Sequence, residues 1–228
     1  MHYGWPNVIG GITALLLLFG VAGCALSPSS PAQVPPTQAP ADQVEGVVYA
    51  ASEKPRQVAP DAPASDLDAL VRGNNHFALD LYHALHGPAA AQDPPANLLY
   101  SPYSISLALA MTYAGARGET EQQMADTLHF TLAQDRLHAA FNALDLALRN
   151  ADQEDNDFRL HLVNAIWGQR GYTFREPFLD LLAENYGAGL RILDFAAHPE
   201  ASRLAINEWA SEQTEGKIED LLPEGAVD

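Results

Sequence analysis

The sequence predicts an α+β fold, with helices packed on a small sheet. Three observations carry this. Six stretches repeat apolar residues at helical spacing, and two or three short stretches are apolar or alternating like strands. Helices stand between the strand candidates. Those strands are also too few to satisfy their own edges, so the sheet calls for members beyond them.

The first 65 residues do not read as domain material. An apolar run, Val8 to Gly23, has the length of a signal-peptide core and is short for a membrane span. No Lys or Arg stands before it, only His2. The run ends in Val21-Ala22-Gly23-Cys24, which resembles the bacterial lipoprotein processing box. That resemblance implies a leader over 1–23 and lipid on Cys24. Acyl chains add roughly 0.8 kcal/mol of membrane affinity per buried methylene. With Ala25 next, it also implies an outer-membrane or cell-surface address in a bacterium. Cys24 is the single cysteine, which excludes an internal disulfide and a cysteine-built zinc site. Residues 24–65 hold eight prolines and no period long enough to bury, so they are expected to form an extended tether. Within it, Val44 to Ala50 could form a short strand.

From 66 to 228 the chain reads as globular. Leu67, Leu70, Val71, Phe77, Leu81 and Leu85 predict a first helix, with Ser65 and Asp68 as its cap, a weak centre at Gly73-Asn74-Asn75 and a stop at Gly87-Pro88. Asn97-Leu98-Leu99-Tyr100 reads as a brief buried strand. Ser101 caps the next helix and Pro102 fits its first turn. That helix is apolar nearly all round, which demands burial on several sides. Gly115 and Gly118 break it. A short helix with Met124 and Leu128 inward follows, then one with Leu137, Phe141, Leu144 and Leu148 on a stripe. Ala151 to Asp157 is an acidic loop. Phe158, Leu160, Leu162 and Ile166 alternate as a strand with one covered face. A helix enters at Glu176-Pro177 and closes at Gly187, Leu190 to Phe195 is a strand, and the last helix runs from Pro199 toward Gly216, packing through Ala201, Leu204, Ala205 and Trp209.

Composition excludes some functions. The net charge is −17, from 12 basic and 29 acidic residues, so no positive footprint for nucleic acid exists, and an anionic membrane would repel the chain. Candidate chemistry is sparse. His76, His83 and His86 lack a metal-binding spacing. Ser101 and Ser104 lack the G-x-S-x-G setting of a nucleophile, and a serine capping a helix already has a structural task. Asn164, beside an apolar run, needs hydrogen-bond partners if buried. The acids Asp152, Glu154, Asp155 and Asp157, and the pair Glu219 and Asp220, fit solvated surface better than a cleft. Gly168, Gly171, Gly187 and Gly189 read as turns. No catalytic, metal or cofactor site is expected.

The stretch "NLLYSPYSISLALAMTYAGARGETEQQM" (97–124) resembles the second-helix signature of serpins, the serine protease inhibitors. The likeness continues in order with "LVNAIWGQRGYTFREPFLDLLAENYGAGLRILDF" and "INEWASEQTEGKIEDLLP", and spans 66–228. It implies a multi-domain α+β fold, helices on mixed sheets, of which this chain supplies an N-terminal part. It further implies suicide-substrate trapping of serine, and in some members cysteine, proteases: a reactive loop is cleaved and inserts as a strand into a parting sheet. Ser101 and Ser104 match the two serines of the shutter beneath that sheet, and Asn97 the asparagine opening the signature. Trp209, Thr214, Gly216 and Lys217 match the end of the helix over the sheet. The reactive loop and its hinge belong to a later part of the family pattern than 66–228, so this chain is expected not to inhibit alone. The helix after Phe130 carries only Arg136 and Arg149 as cations, so heparin is not an expected partner. The alternative function is a non-inhibitory binding protein or degenerate remnant.

Overall fold

A computed structural model describes residues 12–13, 47–86, 98–154, 160 and 162–227. The elements are β1 (Ile12–Thr13), β2 (Val48–Ala50), α1 (Ala64–Leu85), α2 (Pro102–Tyr113), α3 (Glu119–Leu128), α4 (Gln134–Glu154), β3 (Ile166–Gln169), α5 (Glu176–Tyr186), β4 (Leu190–Leu193) and α6 (Pro199–Gln213). The sheet order is β1-β3-β4-β2. Its centre is parallel, with Ile166 opposite Leu190, and α5 makes the crossover that parallel strands need. The short outer strands are antiparallel, Ile12 opposite Gly168 and Tyr49 opposite Arg191.

The sheet is the middle of three layers. Alternate residues leave opposite faces of a strand. Ile166, Leu190 and Ile192 pack with Ala108 and Met111 of α2. Trp167 and Leu193 pack with Ala205, Ile206, Trp209 and Ala210 of α6. A third cluster, built on Leu107, Tyr113, Leu128, Phe130, Leu137 and Phe141, joins α1 to α4 without the sheet. It explains why α2 is apolar all round: Leu107 and Ala110 serve this cluster, while Ala108 and Met111 serve the sheet.

Several sequence expectations need correction. Leu98–Tyr100 is not a strand, and Leu99 is 77% exposed. Helix α1 starts one residue before Ser65, with Pro63 at the cap and no side-chain cap bond, so Ser65 lies inside the first turn. Val71 and Leu85 are exposed, and Gly73 does not interrupt the helix. Ala151–Glu154 extend α4 instead of forming a loop. Of the strand expected from Phe158 onward, Leu160 and Leu162 are not in a strand, Phe158 lies outside the described residues, and the strand observed is Ile166–Gln169, with both faces covered. Helix α6 packs through Ser202, Ala205, Ile206, Trp209 and Ala210, while Ala201 and Leu204 face solvent. The expected face is right at Ala205 and Trp209 and about one residue, roughly 100°, off at Ala201 and Leu204.

Residues 47–57 lie on the domain. Beyond the β2–β4 pairing, Ser52 Oγ donates to Asp180 on α5 at 2.5 Å, and Gln57 N donates to the Glu184 carbonyl at 2.9 Å. Lys54 Nζ is 2.9 Å from Asp180 and 3.4 Å from Glu184. The side chain of Asn142 on α4 donates to the Gln57 carbonyl at 2.8 Å.

Candidate functional site

The site worth examining is the sheet with its two covers, because the residues singled out by the sequence fall on those covers. At the start of α2, Ser101 has extended φ/ψ and its Oγ accepts from Ser104 N at 3.3 Å. The same Oγ donates to Ser104 Oγ at 3.0 Å. Ser104 is buried, so its hydroxyl needs this partner. The two serines therefore cap the helix and satisfy each other. Two residues on, Ser106 is fully buried and its Oγ has no partner among the described residues. Ala108 and Met111, both buried, are the α2 residues packed on the sheet, while Ala110 is turned to the helical cluster.

On the opposite face, Trp209 of α6 sits edge-on to Trp167 of β3, ring centroids 5.7 Å apart. The end of α6 is closed by a hydrogen-bonded turn. Thr214 Oγ1 donates to the Ala210 carbonyl at 2.8 Å and accepts from Ile218 N at 3.1 Å. Gly216, at φ 74°, turns the chain so that its N–H donates to the Ser211 carbonyl at 2.8 Å. Lys217 is exposed, its N–H donating to the Thr214 carbonyl at 3.0 Å. The turn feeds a return strand of contacts in which Asn207 on α6 holds Leu222 at both backbone groups, 2.8 and 3.0 Å. Ser101 and Ser104 thus belong to α2, which packs on one face of the sheet, and Trp209 to α6 on the other, with Thr214, Gly216 and Lys217 beyond the end of α6; the two groups are not brought together. Asn97 and Cys24 lie outside the described residues.

Three features escaped sequence reasoning. Arg191 of β4 is buried, its guanidinium carbon 4.9 Å from the Tyr49 ring, 4.9 Å from Trp209 and 5.5 Å from Trp167. This cation–π cluster joins β2, both central strands and α6. Second, Asp145 on α4, 4% exposed, accepts from Arg56 Nη2 and Arg149 Nε, both at 2.7 Å. Its other oxygen and Asn164 Oδ1 are buried acceptors without partners among the described residues, and both residues line a cavity of about 30 Å³. That space suits a single water, which could donate to two acceptors. Third, His138 is buried with Nδ1 2.5 Å from Tyr186 Oη. Burial, aided by Arg117, pulls its pKa down to about 4, so the ring is neutral. A lone alternation or spacing rule signals none of these, since each joins residues far apart in sequence.

The remaining candidates are peripheral. His76 packs edge-on to His129, and His86 stacks on Tyr82. Glu219 and Asp220 are exposed. Asp155 and Asp157 fall outside the described residues. The described surface carries no helix long and apolar enough to cross a membrane.

Comparison with known proteins agrees with this geometry. The serpin (serine protease inhibitor) family model matches residues 72–228. Over 162 residues the chain is 41% identical to leukocyte elastase inhibitor of Sus scrofa, covering 71% of this chain and 41% of that protein. It is 34% identical over 218 residues to an uncharacterized serpin-like protein of Thermococcus kodakarensis, covering 92% of this chain and 46% of the relative. Among solved structures, the native stressed conformation of Arabidopsis AtSerpin1 superposes with a TM-score of 0.63 at 24% identity, over 73% of this chain and 41% of that one. Cleaved Serpin 42Da gives 0.56 at 25% identity, over 69% and 39%. The chain thus spans about two-fifths of the length of these relatives. The serpin fold and a non-catalytic, inhibitor-type family follow from these matches, and on them this chain belongs to the serpin family.

Proposed function

We propose that this chain is the N-terminal part of an inhibitory serpin, anchored by lipid at a bacterial surface. The observation that carries the inhibitory reading is the serpin family match over 72–228, with Ser101 and Ser104 at the start of α2 bonded to each other. The relatives include an elastase inhibitor, so serine proteases of the elastase and chymotrypsin type are the first targets to test. In this reading 66–228 is the partial serpin domain, the reactive loop comes from later residues, and the 228-residue polypeptide does not inhibit alone. Pancreatic elastase and chymotrypsin are incubated with this polypeptide and with the product of the whole coding DNA. A denaturant-resistant protease complex is expected only with the longer product. A complex with the 228-residue chain refutes the division of labour, and none with either points to the non-inhibitory alternative.

Anchoring rests on Val21-Ala22-Gly23-Cys24 after the apolar run over 8–23. Residues 1–23 act as the leader, so β1 leaves the sheet with it and the mature protein keeps β3, β4 and β2, and Cys24 takes the lipid. Metabolic labelling with a fatty-acid analogue in a bacterial host is expected to mark the wild type and not Cys24→Ser. Equal labelling of both rejects the anchor.

A further inference from the structure

The chain ahead of the domain does more than connect. Residues 47–57 run along the β4 edge, cross α5 and end on α4, with a bond to each: the β2–β4 ladder, Ser52 and Lys54 on Asp180, Arg56 on Asn142 and Asp145. The charge is complementary. Lys54 and Arg56 meet Asp180, Glu184 and Asp145 in a chain that is otherwise short of cations. The receiving surface is also shaped for it. A Cβ at Gly189 would lie 2.9 Å from Ala51 Cβ and 3.1 Å from the Tyr49 ring. Gly189 does not have positive φ, so its own backbone does not require glycine; the room it leaves is filled by this segment. Finally, Tyr49 is one of the three rings on Arg191, whose other partners are Trp167 beneath α6 and Trp209 on it.

We propose that residues 47–57 form an internal brace that ties β4 to α4 and α5 and, through Tyr49 and Arg191, to α6, and so sets how readily the sheet opens. The consequence for sheet opening rests on the inhibitory reading above; the brace itself does not. An edge strand clamped to two helices cannot shift without breaking the Arg56 and Lys54 pairs or the ladder. Releasing the brace frees β4 and removes one ring from the Arg191 cluster.

Hydrogen exchange separates the two parts. Gly189→Ala puts a methyl group where Ala51 and Tyr49 lie, without straining its own backbone. Arg56→Glu adds a second route, setting a carboxylate against Asp145. In the 228-residue chain each variant is expected to speed exchange roughly tenfold at amides 48–50 and 190–193, while amides of α2 and α4 near Ala110 and Phe141 keep their protection. Free-peptide exchange at 48–50 in the wild type overturns the brace, and so does unchanged exchange at 190–193 once 48–50 is released. In the product of the whole coding DNA, Gly189→Ala is expected to raise the rate at which a synthetic reactive-loop peptide inserts by about threefold or more. An unchanged rate with the brace released overturns its control of the sheet. Insertion in neither protein instead overturns the inhibitory reading, the exchange arm having already judged the brace.

Discussion

Arg56 reaches Asp145 across 89 positions of sequence, its Nη2 2.7 Å from Oδ2 of a carboxylate only 5% exposed. Its Nε donates at 2.8 Å to Asn142, one turn earlier on α4. A proline-rich stretch thereby becomes the partner of a buried charge, and α4 becomes an element that holds both the helical cluster and the chain entering the domain.

Arg56→Ala is expected to destabilise the domain by about 2 kcal/mol. Removing one partner from a buried pair typically costs about 3–5 kcal/mol, because the other charge stays buried. Arg149 remains on the same oxygen at 2.7 Å and lowers that figure. Urea unfolding of the 228-residue chain measures it. Adding Asp145→Asn should recover much of the loss, since the remaining group is then neutral; full loss in the double variant would show that Arg56 acts by packing.

His138 gives the domain an acid sensitivity of definite sign. Its folded pKa is about 4, against about 6.5 for the free side chain, so protonation favours the unfolded chain. The stability is complete above pH 6.5 and falls as pH drops toward 4, by roughly 3 kcal/mol in all. Asp66 acts lower. The Arg136 hydrogen bonds hold its pKa below the usual carboxylate value, so its contribution is lost only as pH falls further. Urea midpoints at several pH values should decline between pH 6.5 and 4. In His138→Gln that slope should vanish, although the variant is less stable at pH 7 for want of a well-fitted ring beside Tyr186.

Much of this architecture was legible because its signals are local. Pro102 and Ser101 announce α2, Glu176-Pro177 and Gly187 bracket α5, and the Leu137–Phe141 spacing marks the buried stripe of α4. The family motifs likewise fall on real elements, with Thr214 and Gly216 closing α6. What stayed hidden was long-range. Ser52, Lys54 and Arg56 form bonds to residues far along the chain, and the prolines around them signal extension but not where an extended chain will dock. Ser65 misled because its spacing to Asp68 suits a cap, yet Pro63 is the cap and Ala64 already begins the helix. Asn164 is buried at its oxygen as its position suggested, but sequence could not show that it shares a cavity with Asp145.

Ser101 and Ser104 are expected to behave as structure, not as nucleophiles. Ser101→Ala removes the acceptor for Ser104 N and the donor to Ser104 Oγ. A lost cap costs about 1 kcal/mol and a newly unpaired buried hydroxyl adds to it, so about 1–2 kcal/mol is expected in urea unfolding. Ser101→Thr keeps both bonds and should lie within about 0.5 kcal/mol of the wild type. A fluorophosphonate probe should label neither serine; stoichiometric labelling at Ser101 or Ser104 would overturn the structural role.

Gly73 offers a test in which two principles predict opposite signs. In the middle of an exposed helix, Gly→Ala gains roughly 1 kcal/mol, because glycine loses more conformational freedom on folding. The sequence invites that expectation, since Gly73-Asn74-Asn75 looks like a weak point in α1. The structure reverses it. A Cβ at Gly73 would lie 2.3 Å from the carbonyl oxygen of His129 and 3.3 Å from the carbonyl carbon. His129 is itself held at φ 56°, closing α3, with its Nε2 2.7 Å from Asp80 on α1. The obstructing atom is backbone and cannot swing away, so α1 and the end of α3 must separate. Gly73→Ala is therefore expected to destabilise by about 2–3 kcal/mol net of its helix gain, in the range of an overpacked core. A urea midpoint above that of the wild type would mean that α1 does not cross His129 this closely. Adding His129→Gly, which relaxes the left-handed residue, should restore part of the loss.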